Sequence, residues 1–169
     1  MTKRNSNTKK GFTIIEVVLV LAIAGLIFLM VFVALPALQR SQRDTQRRDD
    51  MGRLITAVQN WQSTHKNKIP QSADTLNGDF LTGYLTTGGD SFADPSTGLN
   101  YIFVFTDCSA SGTECKDNAS SDTTQGTIHA YKQAKCNDGD NPIAKDATGA
   151  NKMAFTIKME GAGVYCVSN

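Results

Sequence analysis

The chain has 169 residues, 40% of them hydrophobic, and a formal net charge of +1. That length leaves room for one compact domain of about 100 residues beside a membrane segment. The first 11 residues hold four cations and no acid, so the remainder carries a charge of −3. After Arg53, eight basic residues stand against twelve acidic ones. Nucleic-acid binding is therefore not indicated by charge, because phosphate neutralisation requires a surplus of cations.

A long apolar run follows the basic N-terminal residues. Between Phe12 and Leu38 the only charged side chain is Glu16, and residues 17–35 carry no charge. A helix of about 20 apolar residues spans a bilayer core, so residues 12–38 are predicted to form a transmembrane helix. The alternative is a plain signal anchor or an uncleaved secretory segment, although an ordinary secretory segment is shorter and has no glutamate near its start.

Four cysteines, Cys108, Cys115, Cys136 and Cys166, lie in a polar, turn-rich part of the chain. Their spacing contains no CxxC pair, so disulfides are favoured over zinc or free thiols. Four cysteines allow three connectivities, and loop closure favours pairing the first with the second and the third with the fourth. Disulfides also decide the orientation, because arginines after the span match the leader cations in number and the positive-inside rule gives a tie. The cysteine-bearing domain is predicted to lie outside the cytoplasm.

The helix is predicted to continue beyond the membrane span over residues 39–68. Pro36 removes one helical hydrogen bond, which predicts a kink there. Residues 39–53 are polar, with two Asp–Arg pairs at the i,i+4 spacing of an exposed helix, and both a solvated face and a subunit contact remain open. An apolar stripe suited to packing on a sheet follows, and Pro70 is expected to end the helix. The stripe comprises Met51, Leu54, Ile55, Val58, Trp61, Gln62 and His65.

Residues 69–169 are predicted to form a globular head. Residues 72–85 are weakly helical, with Asp74 as a candidate cap. Alternation and β-branched content predict four strands, at residues 101–105, 127–133, 153–159 and 164–167. The loops between them, 109–125 and 137–151, are polar. The fold class is therefore α+β, a long N-terminal helix with a small antiparallel sheet.

The string KKGFTIIE, from Lys9 to Glu16, resembles the prepilin signal of type IV pilins and the related pseudopilins. The resemblance implies that residues 1–11 are a leader, which a membrane-embedded prepilin peptidase removes between Gly11 and Phe12. It further implies N-methylation of Phe12. A glycine at the junction suits this reaction, since it lets an extended backbone enter a protease site.

The same resemblance gives a role to the lone carboxylate. An unpaired acid in the apolar layer of a membrane is costly, so its default interpretation is functional. In the resembled family, Glu16 pairs with the amino group of the first residue of an adjacent subunit, here Phe12, and thereby sets the register of a filament. Thr13 adds a hydrogen bond in this interpretation. The alternative is a carboxylate that merely reaches the membrane interface.

The function implied by the resemblance is that of a structural filament subunit serving adhesion, motility or DNA uptake. Its partners would be the prepilin peptidase, an inner-membrane assembly platform and further copies of the chain. It would lie first in the cytoplasmic membrane and then in a cell-surface filament. The alternatives are a type II secretion pseudopilin or minor pilin, and a membrane-anchored extracellular binding domain that never polymerises.

No enzymatic activity, cofactor or metal is predicted. The two histidines, His65 and His129, are not part of a recognisable nucleophile or phosphate-binding motif. Asn118 opens a glycosylation-type tripeptide, which is common by chance. Residues 138–141, DGDN, could hold Ca²⁺, although a turn is favoured because the EF-hand spacing is absent. The interval from Cys136 to Cys166 resembles the disulfide-bounded variable region of many pilins.

Overall fold

The computed structural model describes residues 11–109, 115–122, 124–137, 142–145, 149–161 and 163–169. Residues 1–10 of the predicted leader, which was expected to span residues 1–11, and the candidate Ca²⁺ turn at residues 138–141 lie outside the described residues. The chain forms two compact units, one that ends at Gln39 and one that begins at Arg40.

Helix α1 runs from Ile14 to Thr64 and continues across Pro36. It is the one helix in the described part of the chain that is long and apolar enough to cross a membrane. No residue of the helix is buried before Arg47. The apolar stripe then packs as predicted, because Met51, Leu54, Val58 and Trp61 are buried. Whether the helix kinks at Pro36 stays a prediction.

Helix α1 ends at Thr64, earlier than the expected end beside Pro70. The reason is a pair of left-handed residues, Lys66 at φ 54° and Asn67 at φ 60°. The Asn67 N–H reaches back to the carbonyl of Gln62 at 2.8 Å. This hydrogen bond closes the last turn as in a Schellman-type cap, so the chain leaves the helix before the proline can act.

Two short helical segments follow: α2, Ala73–Thr75, and α3, Leu76–Leu85, which has the wider turns of a π-helix. The cap of α2 is Ser72, whose hydroxyl accepts from the Thr75 N–H at 3.2 Å. The predicted cap, Asp74, lies instead in the first turn, where a negative charge favours the helix N-terminus. Helix α3 buries Leu76, Phe80, Leu81 and Leu85 in the main core.

Four strands form the main sheet, at the positions predicted to within about two residues. They are β1 (Ile102–Asp107), β2 (Thr127–Lys132), β5 (Met153–Lys158) and β6 (Val164–Ser168). The order across the sheet is β1-β2-β5-β6. Two further strands, β3 (Ala134–Cys136) and β4 (Ile143–Lys145), pair with each other as a small second sheet. These two were not predicted, because three residues are too few to show a period.

The prediction of a purely antiparallel sheet is wrong, although the α+β class is confirmed. Strands β1 and β2 run parallel, with Ile102 opposite Thr127, whereas β2–β5 and β5–β6 are antiparallel. A parallel pair needs a long crossover, and residues 108–126 supply it. The Thr156 hydroxyl, on the face of β5 away from α1, donates to Asp117 of this crossover at 2.8 Å.

The main core lies between α1 and one face of the sheet. Along β1, Tyr101 and Phe103 point into it, whereas Ile102 and Val104 are exposed, as the alternation predicted. A smaller cluster on the opposite face contains Tyr131 and the cystine formed by Cys108 and Cys115. The main cluster includes Met51, Leu54, Val58, Trp61, Phe80, Phe92, Phe103, Ile128, Phe155 and Ile157.

Candidate functional site

The N-terminus of α1 is held by a reciprocal cap between Thr13 and Glu16. The Thr13 hydroxyl accepts from the Glu16 N–H at 3.3 Å. The Glu16 carboxylate accepts in return from the Thr13 N–H at 3.1 Å and from the Thr13 hydroxyl at 3.0 Å. This arrangement is a capping box. Glu16 therefore has hydrogen-bond donors within its own chain.

Sequence analysis missed this cap, although the signal is present. Thr13-Ile14-Ile15-Glu16 is a Thr-x-x-Glu pattern placed directly before an apolar run, which is the signature of a capping box. The pattern also places the start of the helix at Ile14. Gly11, Phe12 and Thr13 are consequently outside the helix, and Phe12 is 89% exposed.

Both donors from Thr13 go to one oxygen of the carboxylate, Oε2. Within the described residues no hydrogen bond reaches Glu16 Oε1. A carboxylate offers about four acceptor positions on its two oxygens. The cap therefore leaves Glu16 able to accept a further donor.

Gly11 is exposed and an added side chain there would contact nothing within 4 Å. Packing within this chain therefore does not require a glycine at position 11. The peptide bond between Gly11 and Phe12 lies in exposed, non-helical backbone. Another protein can therefore reach the peptide bond between these two residues.

The apolar part of α1 is uncovered in the single chain. Phe12, Ile14 and Ile15 are 89%, 85% and 75% exposed, and the large hydrophobic side chains up to Leu38 follow the same trend. So large an apolar surface marks a membrane or protein contact. The only charge on it is that of Glu16.

A buried ion-pair cluster lies at the next part of α1, beyond Arg40. The Arg47 side chain is completely buried and its guanidinium contacts three carboxylates: Asp94 at 2.7 Å, Glu160 at 3.0 Å and Asp44 at 3.1 Å. Arg43 adds a two-pronged contact to Glu160 at 2.7 and 2.6 Å. We call Arg43, Asp44, Arg47, Asp94 and Glu160 the Arg47 cluster.

Hydrogen bonding controls the charges in this cluster. Burial acts to raise the pKa of Asp94, but hydrogen bonds from Arg47 and Ser96 prevail and the pKa is lowered. The hydrogen bond from Arg43 lowers the pKa of Glu160. For Arg47, burial is the largest effect and opposes the charge, yet the hydrogen bonds and charges of Asp94 and Glu160 together outweigh burial and the pKa is raised. Arg47, Asp94 and Glu160 are thus held in their charged forms.

The Arg47 cluster corrects the interpretation of residues 39–53. Arg47 and Asp50 are buried against the head, so this face is neither wholly solvated nor kept for subunits. The ion pairs within the helix are also one residue shorter than predicted, since Asp44 pairs with Arg47 and Asp50 with Arg53. Asp44 in addition accepts backbone N–H bonds from residues 160 and 161, both at 2.8 Å.

The two disulfides have the connectivity that loop closure favours. Cys108 pairs with Cys115, and Cys136 pairs with Cys166. The second cystine joins β3 to β6, the strand that ends the sheet. It therefore holds the small hairpin against the sheet.

Both histidines have partners in the described part of the chain. The His65 ring stacks on Trp61 at a centroid distance of 3.8 Å. The Nε2 atom of His129 lies 2.7 Å from Asp122 Oδ2. No group of three or more His, Cys, Asp or Glu placed to hold a metal occurs among the residues the structure describes. Glycosylation of Asn118, which is exposed, stays a prediction.

Comparison with protein families matches residues 6–32 to the prokaryotic N-terminal methylation motif. No curated protein and no solved structure matches the chain. The motif is the type IV prepilin signal and indicates a prepilin of the pilin or pseudopilin type. It implies processing by prepilin peptidase and assembly into a filament, and it points to a structural subunit. Together with the apolar helix it fits membrane anchoring followed by a surface filament.

Proposed function

We propose that this chain is a structural subunit of a type IV pilus-like filament. It enters the cytoplasmic membrane as a prepilin with its head outside, is cleaved between Gly11 and Phe12, and is N-methylated at Phe12. An inner-membrane assembly platform then adds it to the filament. The observation that carries the proposal is the exposed apolar segment with one carboxylate, Glu16, inside the matched motif.

The capping box supports the cleavage step. Because it starts the helix at Ile14, the bond after Gly11 lies in backbone that is not already hydrogen-bonded as a helix. Glycine suits this position because it has no side chain, so its backbone can take up an extended conformation in a protease site without a clash. Basic residues before Gly11 would hold the junction at the membrane surface.

The free oxygen of Glu16 supports the assembly step. Cleavage creates a positively charged amino group on Phe12, and a neighbouring copy presents that group in the same apolar layer. Glu16 can accept it on Oε1 while Oε2 keeps the bonds from Thr13. An ion pair between subunits would offset the cost of the carboxylate in an apolar medium.

The exposed apolar side chains support the final state. In the membrane, lipid covers residues 12–38; in a filament, the same segments of other copies cover one another. A subunit that leaves the bilayer for the filament therefore keeps this surface away from water. The hydrophobic effect, about 25 cal/mol per Å² of apolar surface, opposes any state that exposes it.

Our first prediction separates the charge of Glu16 from its cap. Glu16→Gln preserves a capping box, since glutamine serves at that position, but removes the charge that would pair with the Phe12 amino group. Thr13→Ala removes the two hydrogen bonds of the hydroxyl from the cap and keeps the charge. We expect Glu16→Gln to abolish filaments, because each subunit contact loses a charge-assisted bond worth about 1.5–3 kcal/mol. We expect Thr13→Ala to reduce them far less.

The measurement is electron microscopy of surface filaments, with an immunoblot of membrane fractions to show that both variants insert equally. If Glu16→Gln forms the normal number of filaments, the role of Glu16 is to cap the helix and not to pair with another subunit. Mass spectrometry of filament material supplies a second check, since an intact leader before Phe12 would reject the processing step. If Glu16→Ala leaves anchoring and head function unchanged and no filaments form in any strain, the chain is an anchored binding domain.

A search for long surface filaments also distinguishes a major filament subunit from a secretion pseudopilin or minor pilin. A major subunit is expected in quantity along such filaments, whereas a secretion pseudopilin or minor pilin is not. Deletion of this chain should remove the filaments entirely in the first case.

A further inference from the structure

A cavity of about 490 Å³ lies where α1 ends, within the second unit. Trp61, Thr64 and His65 of α1 form one wall, and the residues of the following turn, Lys66 and Lys68 among them, complete it. The left-handed backbone at Lys66 and Asn67 makes that turn. Ile69 and Pro70 supply apolar lining. This size and mixture are typical of small-molecule sites.

The polar groups of this cavity are mainly donors without partners. The indole N–H of Trp61 has no acceptor among the described residues and is not one of the fully buried polar atoms that lack a partner. The ammonium groups of Lys66 and Lys68 likewise have no acceptor among the described residues. His65 uses Nδ1 locally, 3.0 Å from the Trp61 carbonyl, and Nε2 has no partner in the described part of the chain.

The lining contains no carboxylate. The nearest acid in sequence is Asp74, beside the lining residue Thr75. Within a head that is acidic overall, the cavity is therefore a local concentration of positive charge and donors. A ligand that fits it must be an anion rich in hydrogen-bond acceptors, with a ring-shaped apolar surface to lie against His65 and Ile69.

We propose that this cavity binds the carboxylate-bearing sugar units of an acidic saccharide. The carboxylate pairs with Lys66 and Lys68, whose ammonium groups act as point charges. The indole N–H of Trp61 donates to a ring or hydroxyl oxygen. The C–H face of the sugar packs on the exposed imidazole of His65, which Trp61 holds in place by stacking at 3.8 Å.

A nucleic acid is the competing anion, and the charges disfavour it. Strands of phosphate are held by many cations along a groove, with aromatic side chains that stack successive bases. This cavity offers two lysines and one exposed aromatic ring, that of His65, which is too few for successive phosphates and bases. The excess of acids over bases after Arg53 would repel an extended polyanion.

The test uses the full chain in detergent micelles. Trp61 is the single tryptophan of the chain and lines this cavity, so a ligand bound there should change its fluorescence. Galacturonic acid is the probe and galactose, which lacks only the carboxylate, is its matched control. We expect a saturable change in emission with galacturonic acid and none with galactose at the same concentration. A parallel titration with trigalacturonate distinguishes a single sugar unit from a polymer. Tighter binding of the trimer than of the monomer would show that the site takes several linked units.

Lysine variants locate the effect. Lys66→Gln and Lys68→Gln should each weaken galacturonic acid binding about tenfold, the loss expected for one charge-assisted hydrogen bond. Lys135→Gln, an exposed lysine on β3 outside the cavity, should leave it unchanged. Trp61→Phe, measured by calorimetry, should also weaken binding, since the ring packing remains and the N–H is lost.

Four outcomes overturn the proposal. They are an equal response to galactose, an equal loss in Lys135→Gln, tighter binding of an oligothymidylate than of trigalacturonate, and no response to galacturonic acid at about 10 mM, a concentration that would reveal even a millimolar dissociation constant. None of these depends on polymerisation, so the site and the filament proposal stand or fall separately.

Discussion

Arg47 shows how one buried side chain ties the head to its helix. Removing a guanidinium from water is costly unless its partners are charged and well placed. Here Asp94 is equally buried and accepts from two of the guanidinium nitrogens, at 2.7 and 3.2 Å. Such a pair adds little net stability compared with apolar packing, but loss of Asp94 removes the one fully buried carboxylate among the three that pair with Arg47, so the buried guanidinium loses its closest partner.

We therefore expect Asp94→Asn to lower the free energy of unfolding by about 3 kcal/mol. Asp90→Asn is the matched control, because Asp90 is 74% exposed and lies 3.8 Å from Arg53. An exposed pair of this kind contributes about 0–1 kcal/mol. Urea unfolding followed by Trp61 fluorescence measures both variants. Similar values for the two would show that burial of Arg47 carries no energetic weight.

Some single-residue features could be predicted from the sequence and others could not. The position of Glu16 was evident from the sequence, and so was its isolation among apolar residues. The cap that Glu16 forms with Thr13 is also present in the sequence, as a Thr-x-x-Glu pattern. The same glutamate, however, has a second interpretation as the partner of the Phe12 amino group of another subunit. The burial of Arg47 was not readable, since its partners lie 47 and 113 residues away.

At the scale of elements, the Arg47 cluster joins α1 to two loops, one holding Asp94 and one following β5. Two of its carboxylates titrate below their ordinary pKa values, which are 3.8 for Asp94 and 4.5 for Glu160. The folded chain thus binds fewer of these protons than the unfolded chain. The resulting stabilisation is complete above about pH 4.5 and is lost as the pH falls through the lowered pKa values.

We expect the melting temperature of the head to fall as the pH drops below about 4.5, with a smaller slope in Glu160→Gln. Asp107 acts in the same direction, because its hydrogen bond with Ser109 lowers its pKa to about 2. Asp50 opposes both, since burial raises its pKa. Scanning calorimetry of the chain and the variant from pH 2 to 7 tests this; identical slopes would exclude the cluster as the acid-sensitive element.

Element types were more predictable than their pairing. The stripe from Met51 to Trp61 and the alternation at β1 are local periodicities, so they appear in the sequence. The parallel alignment of β1 with β2 depends on where the crossover at residues 108–126 returns. That return is decided by contacts such as Thr156 with Asp117, which join residues distant in the chain.

For the whole molecule, the cystines reinforce a small head. Cross-linking stabilises by restricting the unfolded chain, more for longer loops. The Cys136–Cys166 loop separates its cysteines by 30 residues and the Cys108–Cys115 loop by seven. The first should therefore stabilise by about 3.5 kcal/mol and the second by about 2.5 kcal/mol.

Paired alanine substitutions measure this difference. Cys136→Ala with Cys166→Ala should lower stability by about 1 kcal/mol more than Cys108→Ala with Cys115→Ala. Cys108 is fully buried in the smaller cluster, so its replacement also removes packing. This additional loss reduces the expected difference in stability between the two double variants. A much larger loss for the short loop would show that packing, and not loop entropy, is what the shorter cystine supplies.

The sequence by itself determined the matched motif at the N-terminus and the apolar helix, because the residues that carry them are consecutive in the chain and are recognised without tertiary contacts. It also determined the class of the head and the favoured cystines, because periodicity and loop length are local quantities. Only the tertiary structure decided that Arg47 is buried, that β1 and β2 are parallel, and that Trp61, Lys66 and Lys68 share a cavity. Each of these depends on the free energy of contacts that exist only once distant parts of the chain have packed together.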